Sequence, residues 1–249
     1  MASGQKSILD ESQADRDAEL AEYLGLSVDD VREAWNLEDN QLRAGPVVWD
    51  GDDFDADSYN HLYERPLYGD ELCGALRAFS AFIVNKRGWM ARRVEEHMGG
   101  FDTPVLDFGC GVGSHGIYAL ERGAPVVDFL DVDGPTRAYA HARVMRRGLE
   151  DRARFMGPDD VFEKSKYGAV FLIDVLEHIA NPVKAFEQIM TATMPDAVVA
   201  MQFGFGGDCK QGHFTQSRKR WMEGKARIAI LQYLKPIEKK FFFKRKKNA

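Results

Sequence analysis

The residues best placed to do chemistry fall in one short run. Val105-Leu106-Asp107-Phe108-Gly109-Cys110-Gly111-Val112-Gly113 reads as a buried strand entering a glycine-rich turn, and residues 114–122 follow at once as a helical stretch. Glycine suits a backbone that must turn sharply and approach a ligand, because a Cβ would clash or forbid the φ angle. A second strand-like run ends in Phe129-Leu130-Asp131-Val132-Asp133-Gly134. A carboxylate at that tip, Asp131, can accept hydrogen bonds from both hydroxyls of a ribose. The two runs together predict a nucleoside site. The competing reading of Asp131 and Asp133 is a plain Asp-Gly turn.

Two cofactor classes use turns of this kind. Gly111-Val112-Gly113-Ser114-His115-Gly116 formally matches the GxGxxG of dinucleotide sites. Asp107 points the other way, since a carboxylate two residues before Gly109 would repel a pyrophosphate. S-adenosylmethionine has no phosphate and carries a positive amino group and a sulfonium, so the charges favour it over a nicotinamide dinucleotide.

Such a turn needs a scaffold. Apolar runs at 104–106, 126–130, 169–173 and 197–201 alternate with segments long enough for helices. That alternation predicts an α/β fold, a doubly wound and mostly parallel sheet with helices on both faces. Ahead of it, residues 14–23 and 28–35 carry apolar positions at helical spacing, with Gly25 ending the first helix and Ser27 capping the second. An Asp- and Gly-rich stretch at 45–58 reads as a surface loop. A long helical segment over 71–97 follows, with Leu72, Leu76, Phe79, Phe82 and Ile83 on one side. The expected division is a helical extension and cap over 1–100 and the nucleoside-binding domain over 101–249.

Composition narrows the function classes. A net charge of −6 across 249 residues gives no general attraction to nucleic acid phosphates. The acidic run containing Asp50, Asp52, Asp53, Asp55 and Asp57, and the basic run at 239–247, read as solvated surface. Cys73, Cys110 and Cys209 form no CxxC pair, which suggests neither a disulfide framework nor a zinc knuckle and fits a reducing, cytoplasmic setting. No apolar run approaches the roughly 18 residues of a membrane span, so no membrane partner is expected.

From residue 105 to residue 182 the chain resembles a known family. Asp107-x-Gly109-x-Gly111-x-Gly113, then Asp131, then the run from Tyr167 through Asp174-Val175-Leu176-Glu177-His178-Ile179-Ala180-Asn181-Pro182, is similar to the class I, Rossmann-like, S-adenosylmethionine-dependent methyltransferases of the small-molecule type. The resemblance implies that Asp107, Gly109 and Gly111 hold the methionine end of the cofactor, that Asp131 holds the ribose, and that Asp159 or Asp160, after a short third strand at 153–156, meets the adenine amino group. Cys110, Gly113, Val132 and Asp174 complete the expected cofactor contacts.

Methyl transfer is an in-line displacement, so alignment of the acceptor is the chief need and a base is optional. His178 after the fourth strand, Asp174 at its end and His213 in Gln211-Gly212-His213-Phe214 are the catalytic candidates. Structural readings compete with each: a helix start for His178, a cap on a helix beginning near Val175 for Asp174, and a loop pin for His213. Tyr59, Tyr63 and Tyr68 could form an aromatic lid over the acceptor, or simply pack the cap. Glu177 and His178 are chain neighbours and do not easily face one point, so no metal is expected. The leading expectation is a monomer or homodimer acting on a small organic acceptor. Its rivals are methylation of RNA or protein through residues 239–247 with Arg143, Arg146 and Arg147, and a methyltransferase-like binding subunit without turnover.

Overall fold

A computed structural model describes residues 6–38, 73, 76–77, 80, 83–179, 181–203, 225–238 and 241–247. Its centre is a seven-stranded sheet in the order β3-β2-β1-β4-β5-β7-β6. The strands are β1 (Val105–Phe108), β2 (Val127–Leu130), β3 (Ala153–Met156), β4 (Tyr167–Ile173), β5 (Thr193–Gln202), β6 (Leu234–Glu238) and β7 (Phe242–Arg245). β1 to β5 pair in parallel, and β7 runs antiparallel between β5 and β6. The chain therefore adopts the expected Rossmann-like α/β fold. The strand order reverses between β1 and β4, and a crevice opens beyond the carboxyl ends at such a switch point.

The sheet sorts its side chains by alternation. Val105, Ala169, Phe171 and Ile173 face one layer, where they meet Met90, Ala91 and Val94 of α3 (Gly88–Met98) and Ile117 and Leu120 of α4 (Ser114–Glu121). Leu106, Phe108, Val170 and Leu172 face the other, against Phe186, Ile189 and Met190 of α6 (Pro182–Ala192) and Ala229 of α7 (Lys225–Tyr233). All seven residues of β4 are buried, as a central strand covered on both faces requires. α5 (Pro135–Arg146) links β2 towards β3.

The N-terminal helices begin and end where their caps dictate. Ser12 opens α1 (Gln13–Leu24) with a reciprocal box, its Oγ accepting from Asp15 N at 3.2 Å while Asp15 accepts from Ser12 N, and Gly25 closes it at φ 68°. Ser27 and Asp30 repeat the box at the head of α2 (Val28–Glu38), the Asp30 N–H donating to Ser27 Oγ at 3.1 Å. Leu20, Ala21 and Val31 from these two helices pack on Val112 and Tyr139. Cys73, Leu76, Arg77 and Ser80 are helical, and a π-turn over Ile83–Arg87 precedes α3.

Two expectations are corrected. The basic run at 239–247 is not merely solvated: Phe242 and Phe243 are buried on opposite faces of the sheet, and Arg245 is buried with its Nε donating to Met190 O at 3.1 Å. Phenylalanines among lysines give a strand a buried interior that net charge conceals. The helix expected near Val175 starts instead at Pro182, where Asn181 Oδ1 accepts from Lys184 N at 3.2 Å, after a short 3₁₀ turn at Leu176–His178. The acidic run at 50–57, the loop at 45–58, Leu72, Phe79, Phe82 and Cys209 lie outside the described residues. Among the described residues no helix is long and apolar enough to cross a membrane.

Candidate cofactor-binding site

The turn from β1 into α4 is built by three glycines in the left-handed region, Gly109 at φ 69°, Gly111 at φ 52° and Gly113 at φ 74°. They serve different ends. A Cβ on Gly109 would lie 2.2 Å from Val175 Cγ2, so this glycine admits the loop after β4. A Cβ on Gly113 would lie 3.0 Å from the Ala140 Cβ, so it lets α5 approach. Among the described residues nothing lies within 4 Å of a Cβ on Gly111, which leaves open space on that face of the turn. Gly116, the last glycine of the GxGxxG match, has a packing reason of its own, because its Cβ would sit 2.3 Å from Phe129 Cε1.

Two acids close on this turn. Asp131 Oδ2 accepts from Gly111 N at 2.6 Å and Oδ1 accepts from Val132 N at 2.8 Å. Asp107 reaches past the turn, its Oδ2 accepting from Gly116 N at 2.8 Å in the first turn of α4. Burial pushes Asp107 up to about 7, with Asp131 adding to the rise and the Gly116 N–H opposing it. Burial likewise lifts Asp131 to about 6, against the pull of the Gly111 and Val132 amides and Arg137. Cys110 is buried between them and its thiol is held well above its ordinary range, which makes it an inert packing group. A buried carboxyl, Asp107, and a half-buried one, Asp131, beside that open space are suited to receive a cationic group.

The β3 tip is arranged differently from a free pair of acids. Asp159 and Asp160 are both exposed, and Asp160 Oδ2 accepts from Gly157 N at 2.7 Å, back onto its own turn. Arg137 from α5 spans the gap between the tips, its Nη1 donating to Asp131 O at 3.1 Å and Met156 O at 3.2 Å. Those contacts tie the ends of β2 and β3 into one rim.

Asp174 leaves β4 with φ 52°, its N–H donating to Gln202 O at 2.8 Å. Its carboxylate does not cap a helix: Oδ2 accepts from Arg87 Nε at 2.7 Å. His178 is half-buried in the 3₁₀ turn four residues on. The sheet thus brings Asp107, Gly109, Cys110, Gly111, Gly113, Asp131, Val132 and Asp174 to one end. His213, Tyr59, Tyr63 and Tyr68 lie outside the described residues.

Sequence reasoning passed over His115, Arg87 and the true place of Arg143. His115 stacks on Phe171 at 5.3 Å between ring centroids, and its Nε2 lies 3.4 Å from Arg87 O. Burial holds His115 down to about 4, so near neutral pH it is an uncharged ring that can donate to that carbonyl. Arg143, read as a surface contact for RNA, is buried inside the protein. The signal was present, because Tyr139, Ala140, Arg143 and Val144 follow helical spacing and form the buried stripe of α5.

Residues 106–199 match the family model of a methyltransferase domain. A tRNA U34 carboxymethyltransferase of Idiomarina loihiensis is 28% identical over 139 residues, covering 52% of this chain and 42% of the relative. A ribosomal protein L11 methyltransferase of Shewanella sediminis is 37% identical over 59 residues, covering 24% and 20%. The chain thus matches less than half the length of either. Among solved structures, the Burkholderia thailandensis 1,6-didemethyltoxoflavin-N1-methyltransferase, with S-adenosylhomocysteine bound, aligns at TM-score 0.49 and 17% identity over 81% of this chain and 94% of that one.

Proposed function

We propose that the chain, whose residues 106–199 match a methyltransferase domain, is an S-adenosylmethionine-dependent methyltransferase of the class I type, and that it methylates a small organic acceptor bound beyond the carboxyl ends of β1 and β4. The carrying observation is the closure of Asp131 on Gly111 beside open space, with buried Asp107 behind it. This set fits the cofactor's chemistry: Asp131 holds the ribose hydroxyls, and Asp107 and the turn from Gly109 to Gly113 hold the cationic methionine end. When bound, S-adenosylmethionine supplies an electrophilic methyl group.

The protein's own part is to orient and to exclude water. Gly111 leaves the turn open on the ligand side, while its neighbours Cys110 and Val112 are buried. Asp159 or Asp160 would meet the adenine, and since the Asp160 carboxylate already serves its own turn, Asp159 is the better placed of the two. Asp174, held by Arg87, aligns the acceptor, and His178 or His213 takes a proton where the acceptor has one to lose.

A small acceptor is favoured over RNA because two of the three arginines that would have contacted it are engaged inside. Arg143 and Arg147 pair with Glu19, and Arg147 also pairs with Glu11. The relatives named for tRNA and a ribosomal protein match in part only, so their acceptors do not carry over.

Isothermal titration with S-adenosylhomocysteine, with NADH in parallel and Asp131→Ala as control, tests the cofactor assignment. Binding of S-adenosylhomocysteine that the variant loses supports it. Binding of NADH alone overturns it. A panel of small hydroxyl, amine and carbon acceptors run against bulk tRNA and ribosomal protein then decides the acceptor class.

A further inference from the structure

Val112 lies in the middle of the glycine turn, and both faces of the peptide that follows it are occupied. The Gly113 N–H donates to Cys110 O at 2.8 Å, and Val112 O accepts from Arg143 Nη1 at 2.7 Å. Arg143 Nη1 also donates to Ser114 Oγ at 3.1 Å, at the first residue of α4. Rotation of this peptide plane would change φ of Gly113, now 74°, so Arg143 helps to fix the turn's curvature. Two peptides earlier, Asp131 fixes Gly111 N.

Arg143 is only 1% exposed, and what pairs with it comes from the N-terminus. Its Nε donates to Glu19 Oε2 of α1 at 3.1 Å. Arg147, one helical turn on, donates to the other oxygen of Glu19 and to Glu11. Glu121 at the end of α4 lies 3.5 Å from Arg147 Nε and accepts from Ser7 Oγ at 2.7 Å and Ile8 N at 3.0 Å. The side chain of Val112 packs under Leu20 and Ala21 of the same helix. Residues 7–24 are therefore bound to α4 and α5, and hold both the side chain and, through Glu19 and Arg143, the carbonyl of Val112.

We infer that Arg143 is a positioning residue that couples docking of the N-terminal helix α1, through Glu19, to the cofactor-ready shape of the Gly109–Gly113 turn. The inference rests on the proposed cofactor site. A guanidinium can donate in its plane to a carbonyl, a hydroxyl and a carboxylate at once, and a lysine cannot reproduce that fork. If α1 lifts, Glu19 leaves and Arg143 keeps an uncompensated buried charge. The turn then loses its anchor and its apolar cover together. Linkage makes the effect reciprocal, so ligand in the turn must hold α1 down by the same factor.

The test combines two readouts on the full chain. Hydrogen exchange is measured over residues 7–24 with and without saturating S-adenosylhomocysteine, and the ligand's affinity is measured for Glu19→Gln and Arg143→Lys. The expected result is slower exchange over 7–24 in the wild type on ligand binding. Both variants should bind about tenfold more weakly, with their circular dichroism unchanged. In Glu19→Gln, the exchange of α1 should no longer respond to ligand. Affinities within about twofold of wild type in folded variants overturn the inference, as does wild-type exchange over 7–24 that ignores the ligand. The wild-type exchange arm decides the matter even where a variant fails to fold. A wild type that binds no S-adenosylhomocysteine overturns the cofactor assignment itself, and so is told apart from failure of the coupling.

Discussion

Asp131 Oδ2 lies 2.6 Å from the amide nitrogen of Gly111, so the acid at the tip of β2 is locked to the turn at the tip of β1. One carboxylate thus shapes the loop and faces the ligand space. Asp131→Ala removes the loop's acceptor and the ribose contact together. Hydrogen bonds to charged groups are worth about 1.5–3 kcal/mol, so affinity for S-adenosylhomocysteine should fall by about tenfold to a hundredfold. Titration calorimetry measures it, and an unchanged affinity would place the ribose elsewhere.

These two acids predict an opposed response of stability and binding to pH. Asp107 rises to about 7 and Asp131 to about 6 in the folded protein, above ordinary carboxyl values near 4. The folded state then holds more protons than the unfolded one between about pH 4 and 7, and stability falls as pH rises through that window. Binding of a cationic ligand should strengthen over the same range as the carboxyls ionise. Asp107→Asn should flatten the decline in Tm of the ligand-free protein between pH 5 and 8, raise its Tm at pH 8, and weaken S-adenosylhomocysteine binding there. Parallel Tm profiles for variant and wild type would show that Asp107 is ionised throughout.

Gly116 was read as part of a dinucleotide-like motif, yet its neighbour explains it. The ring of Phe129, 2.3 Å from where a Cβ would lie, is itself stacked on Phe155 at 5.0 Å and has little room to yield. Gly116→Ala should destabilise the fold by about 1–3 kcal/mol through overpacking, seen as a lower midpoint in urea unfolding. Phe129→Leu in the same chain should recover part of the loss. No recovery would locate the strain in the backbone of α4 instead.

What could be read from the sequence divides along a physical line. Four of the parallel strands were legible because each is a short apolar run next to turn residues; β3, Ala153–Met156, carries an arginine and only one buried residue, and its bounds came from the family resemblance instead. The glycine turn was legible because glycine at positive φ has few substitutes. Side-chain partners over long range were not: Arg87 meets Asp174 across 87 positions and Arg143 meets Glu19 across 124. Arg143 also illustrates how charge misleads, since an arginine in an apolar stripe looks like surface until its buried partner is known. The strand through Phe242 and Phe243 was hidden by flanking lysines for the same reason.

The pairing of Arg87 with Asp174 separates two roles for that acid. Arg87 Nε lies 2.7 Å from Asp174 Oδ2, and the Arg87 carbonyl lies 3.4 Å from Nε2 of His115, which stands on α4 just behind the glycine turn. The segment before α3 is thereby held to the turn and to the tip of β4 together. If Asp174 aligns the acceptor, Arg87→Met should leave S-adenosylhomocysteine affinity nearly unchanged and lower kcat by about a hundredfold, because small misplacements of reacting groups are costly. If Asp174 instead holds the cofactor, the same variant should weaken S-adenosylhomocysteine binding and leave single-turnover rates at saturating cofactor intact. Measuring the two quantities side by side on whichever acceptor the panel returns assigns Asp174. The geometry favours the first outcome, since an acid gripped by a guanidinium on a left-handed residue is fixed in direction and well suited to orienting a partner.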